Sequence, residues 1–353
     1  MIPSRRRTSR IIHVGSVAIG GGNPISVQSM TNTDTRDVDK TVKQIHRLEE
    51  AGCEIIRVAV IDEEAAGSLK RIKERIGIPL IADIHFDYRL ALLALDSGVD
   101  GLRINPGNIG NRIKVEEIAR KAQDLGVSIR IGVNAGSLEK QLLRKYGGLT
   151  AEALVDSALG HVEILEKANF ASLKISIKAS HVPLMVEAYR QLAKEVPYPL
   201  HLGVTEAGTM LTATVKSSIG IGILLSEGIG DTLRVSVTGD PVLEVKAGFE
   251  ILKSLGLRQK GVELVSCPTC GRCEIDLVSL AEEVENKLAG ISHPLKIAIM
   301  GCPVNGPGEA RQADIGIAGG SGWGLVFKKG EIIGMVPQEQ LVEALLREIQ
   351  KMV

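Results

Sequence analysis

Short apolar, β-branched runs alternate with amphipathic segments through the first 254 residues. Runs at 25–28, 55–60, 80–84, 101–105, 128–132, 172–177, 200–204 and 232–237 have the length and residue types of strands. Between them, apolar positions recur at helical spacing over 38–51, 62–76, 88–97, 114–125, 150–169, 181–195, 209–227 and 241–254. Several helices run into a glycine, at Gly52, Gly77, Gly98 and Gly126, where a left-handed C-cap is expected. Eight βα units in about 255 residues predict a closed (β/α)8 TIM barrel ahead of an open, doubly wound sheet. Residues 11–19, followed by Gly20-Gly21-Gly22, read as a hairpin placed to plug the bottom of that barrel.

The rhythm stops after Leu257 at Arg258-Gln259-Lys260-Gly261, a polar linker, and a second pattern begins. Strands are expected near 262–266, 295–300, 314–318, 323–328 and 331–336, and helices near 276–289 and 337–351, which suits a small α+β domain. The expected division is 1–257 for a substrate-binding barrel and 258–353 for the second domain.

Composition narrows the function classes. The 353 residues carry 42 Lys and Arg against 42 Asp and Glu, so no global field favours a polyanion or a membrane surface. Nine aromatic residues leave little for base stacking, which argues against nucleic acid. No run reaches the roughly 20 apolar residues of a membrane span, and the basic start Arg5-Arg6-Arg7 lacks the apolar region of a secretory signal; a cytoplasmic location is expected.

Five cysteines are too few for a disulfide scaffold, yet four cluster at Cys267, Cys270, Cys273 and Cys302. Cys267-Pro268-Thr269-Cys270 and Cys302 lie in Gly- and Pro-bearing loops directly after predicted strands, where thiolates can share one metal centre. An iron–sulfur cluster fits such a set first. Zinc needs a fourth ligand, usually supplied by a second CxxC or a His pair, and the one downstream histidine, His293, lies off either loop. Plain buried thiols are the third reading. Cys273 is either a fourth ligand or a spectator, and Glu309, at the end of the loop from Gly301, is either aimed at the bound group or solvated in a tight turn.

The barrel supplies the second signal. Arg57, Arg103, Arg130, Lys174 or Lys178, and Arg234 sit in or just after the second, fourth, fifth, sixth and eighth predicted strands. Active sites of such barrels lie at the C-terminal strand ends, and a packed interior otherwise wants apolar side chains. Either these cations converge on a polyanionic ligand, or each turns outward to a helix carboxylate. Strand alternation favours the first, because Arg103 shares a face with Asn105, Arg130 with Gly132 and Asn134, Lys174 with Ser176 and Lys178, and Arg234 with Ser236. Phosphate fits cations arriving from several directions better than carboxylate does. Asp83 and His85 after the third strand, and His201 and Glu206 after the seventh, add acid–base groups. His46 and His161, on helices, read as solvated or structural. Gly319-Gly320-Ser321-Gly322-Trp323-Gly324 precedes a strand instead of opening a helix, which excludes a nucleotide fingerprint, and Gly220-Ile221-Gly222 reads as helix packing.

Six blocks, in order along the chain, carry a resemblance: residues 27–33 (Val-Gln-Ser-Met-Thr-Asn-Thr), 82–86 (Ala-Asp-Ile-His-Phe), 103–108 (Arg-Ile-Asn-Pro-Gly-Asn), 204–208 (Val-Thr-Glu-Ala-Gly), 266–272 (Ser-Cys-Pro-Thr-Cys-Gly-Arg) and 305–309 (Asn-Gly-Pro-Gly-Glu). Together they resemble the 4-hydroxy-3-methylbut-2-en-1-yl diphosphate synthase family of the non-mevalonate isoprenoid pathway, in its bacterial two-domain form. The resemblance implies reductive opening of 2-C-methyl-D-erythritol 2,4-cyclodiphosphate by a [4Fe–4S] cluster fed by ferredoxin or flavodoxin. It implies Cys267, Cys270, Cys302 and Glu309 as cluster ligands, with Cys273 a spectator. It implies that Arg57, Arg103, Arg130, Asn134, Lys178, Arg234 and Ser236 grip the diphosphate, that His85 and Glu206 stand near the reacting carbons, and that a homodimer lets each cluster domain cover the partner's barrel. Cys273 and Pro303 depart from the family pattern. On residues alone, the rivals are a non-redox sugar-phosphate lyase or isomerase with a zinc-stabilised appendage, and a metal-dependent scaffold.

Overall fold

The structure is a computed structural model that describes residues 6–353, except 106, 110, 111, 260, 289, 292 and 303–309. It divides into two compact units, Met1–Arg258 and Gln259–Val353.

In the first unit, β1 (Ile12–Val14) and β2 (Val17–Ile19) pair antiparallel. Eight further strands then alternate with helices: β3 (Ser26–Met30), α1 (Val38–Glu50), β4 (Ile55–Val60), α2 (Glu63–Lys73), β5 (Leu80–Ile84), α3 (Tyr88–Asp96), β6 (Gly101–Ile104), α4 (Arg112–Asp124) and β7 (Ser128–Asn134). The series continues through α5 (Lys140–Lys145), α6 (Ala151–Lys167), β8 (Leu173–Lys178), α7 (Val182–Glu195), β9 (His201–Leu202), α8 (Met210–Ser226), β10 (Thr232–Leu233) and α9 (Pro241–Ser254). The strands pair in parallel in the order β8-β7-β6-β5-β4-β3-β10-β9, and a bridge between Ile175 and Leu200 closes the ring. This is the TIM barrel that the periodicity predicts.

Alternation sorts the side chains. Ile56, Val58, Ala82, Ile84, Leu102, Ile104, Ile129, Ile131, Ile175 and Ile177 join the core shared with the helices, which leaves Arg57, Asp83, Arg103, Arg130, Lys174 and Lys178 on the other face of the same strands. Ile12, Val14 and Ile19 of the hairpin pack on Ile55 and Ile81, at the starts of β4 and β5, and so cover the barrel bottom. Asp231 anchors the preceding segment there, accepting from Ser9 Oγ at 2.8 Å and facing Arg6 Nη2 at 3.2 Å.

The closing seam is thin, because β9 and β10 are two residues each, shorter than the sequence suggests. Both strands leave the ladder where Gly203 lets the Arg234 carbonyl oxygen and Lys178 Nζ approach its Cα closely. The Tyr189 hydroxyl, from α7, reinforces the seam by accepting from Ile177 N at 3.1 Å and donating to the His201 carbonyl. Gly52, Gly98 and Gly126 adopt positive φ as expected; Gly77 does not, and its amide instead donates to Glu49 Oε1. Gly220 is a packing position, since a Cβ there would lie 2.8 Å from Met185, whereas Gly222 faces open space.

The second unit contains β11 (Val262–Ser266), α10 (Leu277–Leu288), β12 (Leu295–Met300), β13 (Ile315–Gly320), β14 (Trp323–Lys328), β15 (Glu331–Pro337) and α11 (Leu341–Gln350). The sheet order is β11-β12-β13-β14-β15, parallel across the first three strands and antiparallel after that. Leu277, Leu280, Val284, Leu341, Leu345 and Ile349 of the helices pack on Ile297, Ile299, Ile315 and Ile317. The last helix begins later than the sequence suggests, because Pro337 ends β15 and a 3-10 turn follows it.

Candidate functional site: a cation-lined barrel and a thiol-bearing sheet end

The basic residues turn inward. Arg57, Arg103, Arg130, Lys174 and Lys178 are each no more than 6% exposed, and Arg234 follows β10 half-buried. Asp83, Arg103, Arg130 and Lys174 are direct neighbours on four consecutive strands. Two buried carboxylates answer these cations. Asp83 Oδ1 lies 3.2 Å from Arg103 Nη1, and its Oδ2 lies 3.6 Å from Arg57 Nε. Glu244, from α9, takes Arg234 Nη2 at 3.1 Å, Ser29 Oγ at 3.0 Å and the amide of Val237 at 3.2 Å. Met30 sulfur accepts from Arg57 Nη2 at 3.0 Å and from Arg234 Nη1 at 3.7 Å.

Cations therefore outnumber carboxylates in this buried cluster, and their proton affinities record it. Burial pushes Arg57 down to about 10, with Asp83 opposing. Burial, and then the neighbouring cations, push Arg130, Lys174 and Lys178 well below their ordinary values, and His201 likewise. Burial alone would raise Asp83, but Arg57, the His85 hydrogen bond and Arg103 hold it well below the usual carboxylate range.

The remaining barrel residues divide. His85 Nε2 lies 2.9 Å from Arg103 Nη1, with about half of its side chain exposed, so it joins the cluster at the mouth. Asn134 ends β7 opposite Lys178, and with its amide turned to satisfy both ends, its oxygen accepts from Arg103 Nη2 at 2.9 Å. Ser236 is half-buried two residues beyond Arg234. Glu206 is exposed at φ +52°, with no hydrogen-bond partner among the described residues. A non-glycine residue held left-handed in the loop after a barrel strand is a feature of functional sites. Of the two lone helical histidines, His46 is exposed beside Glu49, and His161 is buried with Nε2 3.0 Å from Glu139. Glu244, Met30 and Ser29 are the participants that sequence reasoning missed. The phase of Glu244 on the buried face of α9 was the available signal for it.

At the other site, Cys267 follows β11 and Cys302 follows β12, parallel neighbours with Ser266 opposite Ile299. The Cys267 amide donates to Ile299 O, and Gly301 N donates to Cys267 Sγ at 3.2 Å. Cys270 is exposed in a turn closed by Cys273 N onto its carbonyl at 2.9 Å. Cys273 is engaged locally: its thiol donates to Ile275 O at 3.3 Å and abuts Gly301, where a Cβ would lie 2.5 Å from the sulfur. All five cysteines are free thiols, and among the described residues no group of three or more His, Cys, Asp or Glu side chains is gathered to hold a metal ion. Glu309 lies outside the described residues.

Comparison with known proteins settles the family. The model of the GcpE TIM-barrel domain matches residues 9–249, and that of the GcpE protein C-terminal domain matches residues 263–351. The chain belongs to the GcpE family. A relative in Geobacter sulfurreducens, named 4-hydroxy-3-methylbut-2-en-1-yl diphosphate synthase (flavodoxin), is 63% identical over 97% of this chain and 97% of its own length. A relative in Clostridium tetani with the same name is 61% identical over 98% of this chain and 99% of its own. Among solved structures, dihydropteroate synthase from Stenotrophomonas maltophilia covers 70% of this chain and 98% of its own at TM-score 0.51 and 13% identity, a likeness of fold alone.

Proposed function

We propose that this GcpE-family chain is an iron–sulfur enzyme of the non-mevalonate isoprenoid pathway. It converts 2-C-methyl-D-erythritol 2,4-cyclodiphosphate to 4-hydroxy-3-methylbut-2-en-1-yl diphosphate, taking in two electrons and two protons and releasing water. The observation that carries the reading is the excess of buried cations over Asp83 and Glu244 in the barrel, in a chain 63% identical to a relative with that name. Such an interior needs an anion, and a diphosphate supplies charge in more than one direction.

Arg57, Arg103, Arg130, Asn134, Lys178, Arg234 and Ser236 hold the diphosphate, and Asp83 and Glu244 hold three of the arginines ready for it. Binding from several strands fixes the ring and excludes water from the carbons that react. His85 and Glu206 stand at the strand ends, where a departing oxygen needs a proton; Glu206 is the donor in this reading because its carboxyl is free and His85 is engaged with Arg103.

The residues of the second unit suit a [4Fe–4S] cluster. Cys267 and Cys302 are free thiols just past the ends of adjacent parallel strands, Cys270 is free in the turn after Cys267, and an amide already donates to the Cys267 sulfur, the kind of hydrogen bond that stabilises a cluster thiolate. Glu309 is the fourth ligand by family likeness, a harder and weaker donor to iron than thiolate, and the Cys273 thiol is a spectator. Held there, the cluster would supply single electrons and Lewis acidity. The donor is flavodoxin, as in the relatives' names, with ferredoxin the alternative.

A homodimer in the cytoplasm completes the proposal. Leu211, Val215, Ile219 and Ile223 make an exposed apolar stripe along α8, one residue about every turn, which supports pairing with a second copy. Among the described residues no helix is long and apolar enough to cross a membrane. The relatives' shared name gives no support to a non-redox lyase with structural zinc.

The test is anaerobic purification with iron and zinc analysis, followed by turnover of the cyclic diphosphate with reduced flavodoxin. Roughly four irons per chain with product formation is the expected result. Stoichiometric zinc in a colourless protein that leaves the cyclic diphosphate unchanged overturns the proposal.

A further inference from the structure

The row of Asp83, Arg103, Arg130 and Lys174 is electrically lopsided. At one end Asp83 answers Arg57 and Arg103. At the other, Lys174 is 1% exposed and its Nζ has no hydrogen-bond partner among the described residues; Nε and Nη1 of Arg130 and both ring nitrogens of His201 also lack partners among them. Among the described residues the charges that act on the Lys174 amine are Arg130 from β7 and Arg57 from β4, and His201 from β9 feels the same amine; Lys178 lies two inward positions farther along the strand. The Asp83 carboxylate is taken by Arg57 and Arg103, and that of Glu244 by Arg234, Ser29 and Val237. A buried ammonium with no acceptor and like charges beside it is a poor ground state. A neutral amine in the same place costs far less, and it waits for an anion.

We propose that Lys174 is a further anion-binding residue of the diphosphate site, uncharged in the free protein, and that it takes a proton from solvent as the phosphoryl oxygens arrive. This rests on the reading of the barrel as a cyclic diphosphate site. Burial first, then Arg130 and Arg57, lower the proton affinity of Lys174, and phosphate oxygens reverse the sign of the local field. The ligand thus meets a barrel with one charge fewer than it finally binds. Stability and affinity then pull in opposite directions at this position: removing the amine while keeping the stem stabilises the empty protein and weakens the complex, whereas a side chain that only fills space gives the first effect with the opposite sign.

Calorimetry on the full-length, cluster-loaded protein, anaerobic and without reductant, measures this directly. The cyclic diphosphate is titrated near neutral pH in HEPES and in Tris, whose ionisation enthalpies differ. The wild type is expected to take up about one proton per site. Lys174→Met is expected to abolish that uptake, weaken binding at least tenfold and raise the melting temperature of the free protein by a few degrees. Buffer-independent heats in the wild type overturn the inference, whatever the variant does. Uptake that persists in Lys174→Met but disappears in His201→Gln also overturns it, by moving the proton to the histidine. Absence of any binding by the wild type fails the proposed function itself, a result separable from both.

Discussion

Gly132 and Arg103 share one small volume: a Cβ on Gly132 would fall 2.4 Å from Arg103 Nε, and the Gly132 carbonyl accepts from Arg103 Nη2 at 3.3 Å. The guanidinium thus lies over a position on the neighbouring strand that must lack a side chain.

Gly132→Ala is expected to push the Arg103 guanidinium out of its contacts with Asp83 and His85 while leaving the fold intact, since Gly132 does not adopt positive φ. KM for the cyclic diphosphate should rise about tenfold or more, equivalent to roughly 1.4 kcal/mol. Steady-state kinetics with circular dichroism checks it, and an unchanged KM would remove Arg103 from the binding machinery.

The loop after β7 carries a pH signature. Glu139 lies 3.0 Å from His161 Nε2, accepts from Ser157 Oγ at 2.9 Å, and is held at about 2, chiefly by His161. Its unfolded value is about 4.3. The folded value is the lower one, so this stability is fully present above the unfolded value and is lost as pH falls toward 2. With allowance for its partial exposure, Glu139→Gln should flatten the acid limb of urea-unfolding stability by on the order of 1 kcal/mol. Parallel acid limbs in both proteins would refute the assignment.

Ile219→Lys, in the middle of the apolar stripe on α8, should turn the proposed dimer into a monomer in light scattering, with thermal stability within about 0.5 kcal/mol of a monomeric reference. A dimer that survives the lysine puts the interface elsewhere.

The two classes of thiol should separate by metal content. Cys302→Ser should lose most of its iron and visible absorbance, whereas Cys273→Ala should keep both, because that sulfur is engaged with the Ile275 carbonyl and Gly301. Iron lost equally from both variants would make Cys273 a ligand.

What the sequence disclosed and what it withheld follow one division. Strand and helix positions were legible because their periods are local, and the inward cations were legible because a charge on the wrong phase of an apolar strand stands out. The counter-ions were not. Glu244 meets Ser29 across 215 residues of chain, and its role depends on which way α9 presents one carboxylate. The short helix α5 has no buried residue and therefore leaves no amphipathic trace. Choosing between Lys174 and Lys178 failed as a question, because the strand turns both inward.

The surplus of buried cations has a practical outcome for inhibitor discovery. An empty barrel that repels itself is less stable than a filled one, so any compact dianion seated among Arg57, Arg103 and Arg130 removes a penalty in addition to making contacts. Its affinity registers as heat resistance, by about 2.7 kcal/mol at a hundredfold excess over Kd. A melting assay on the oxidised protein, with neither electron donor nor turnover, would rank such compounds.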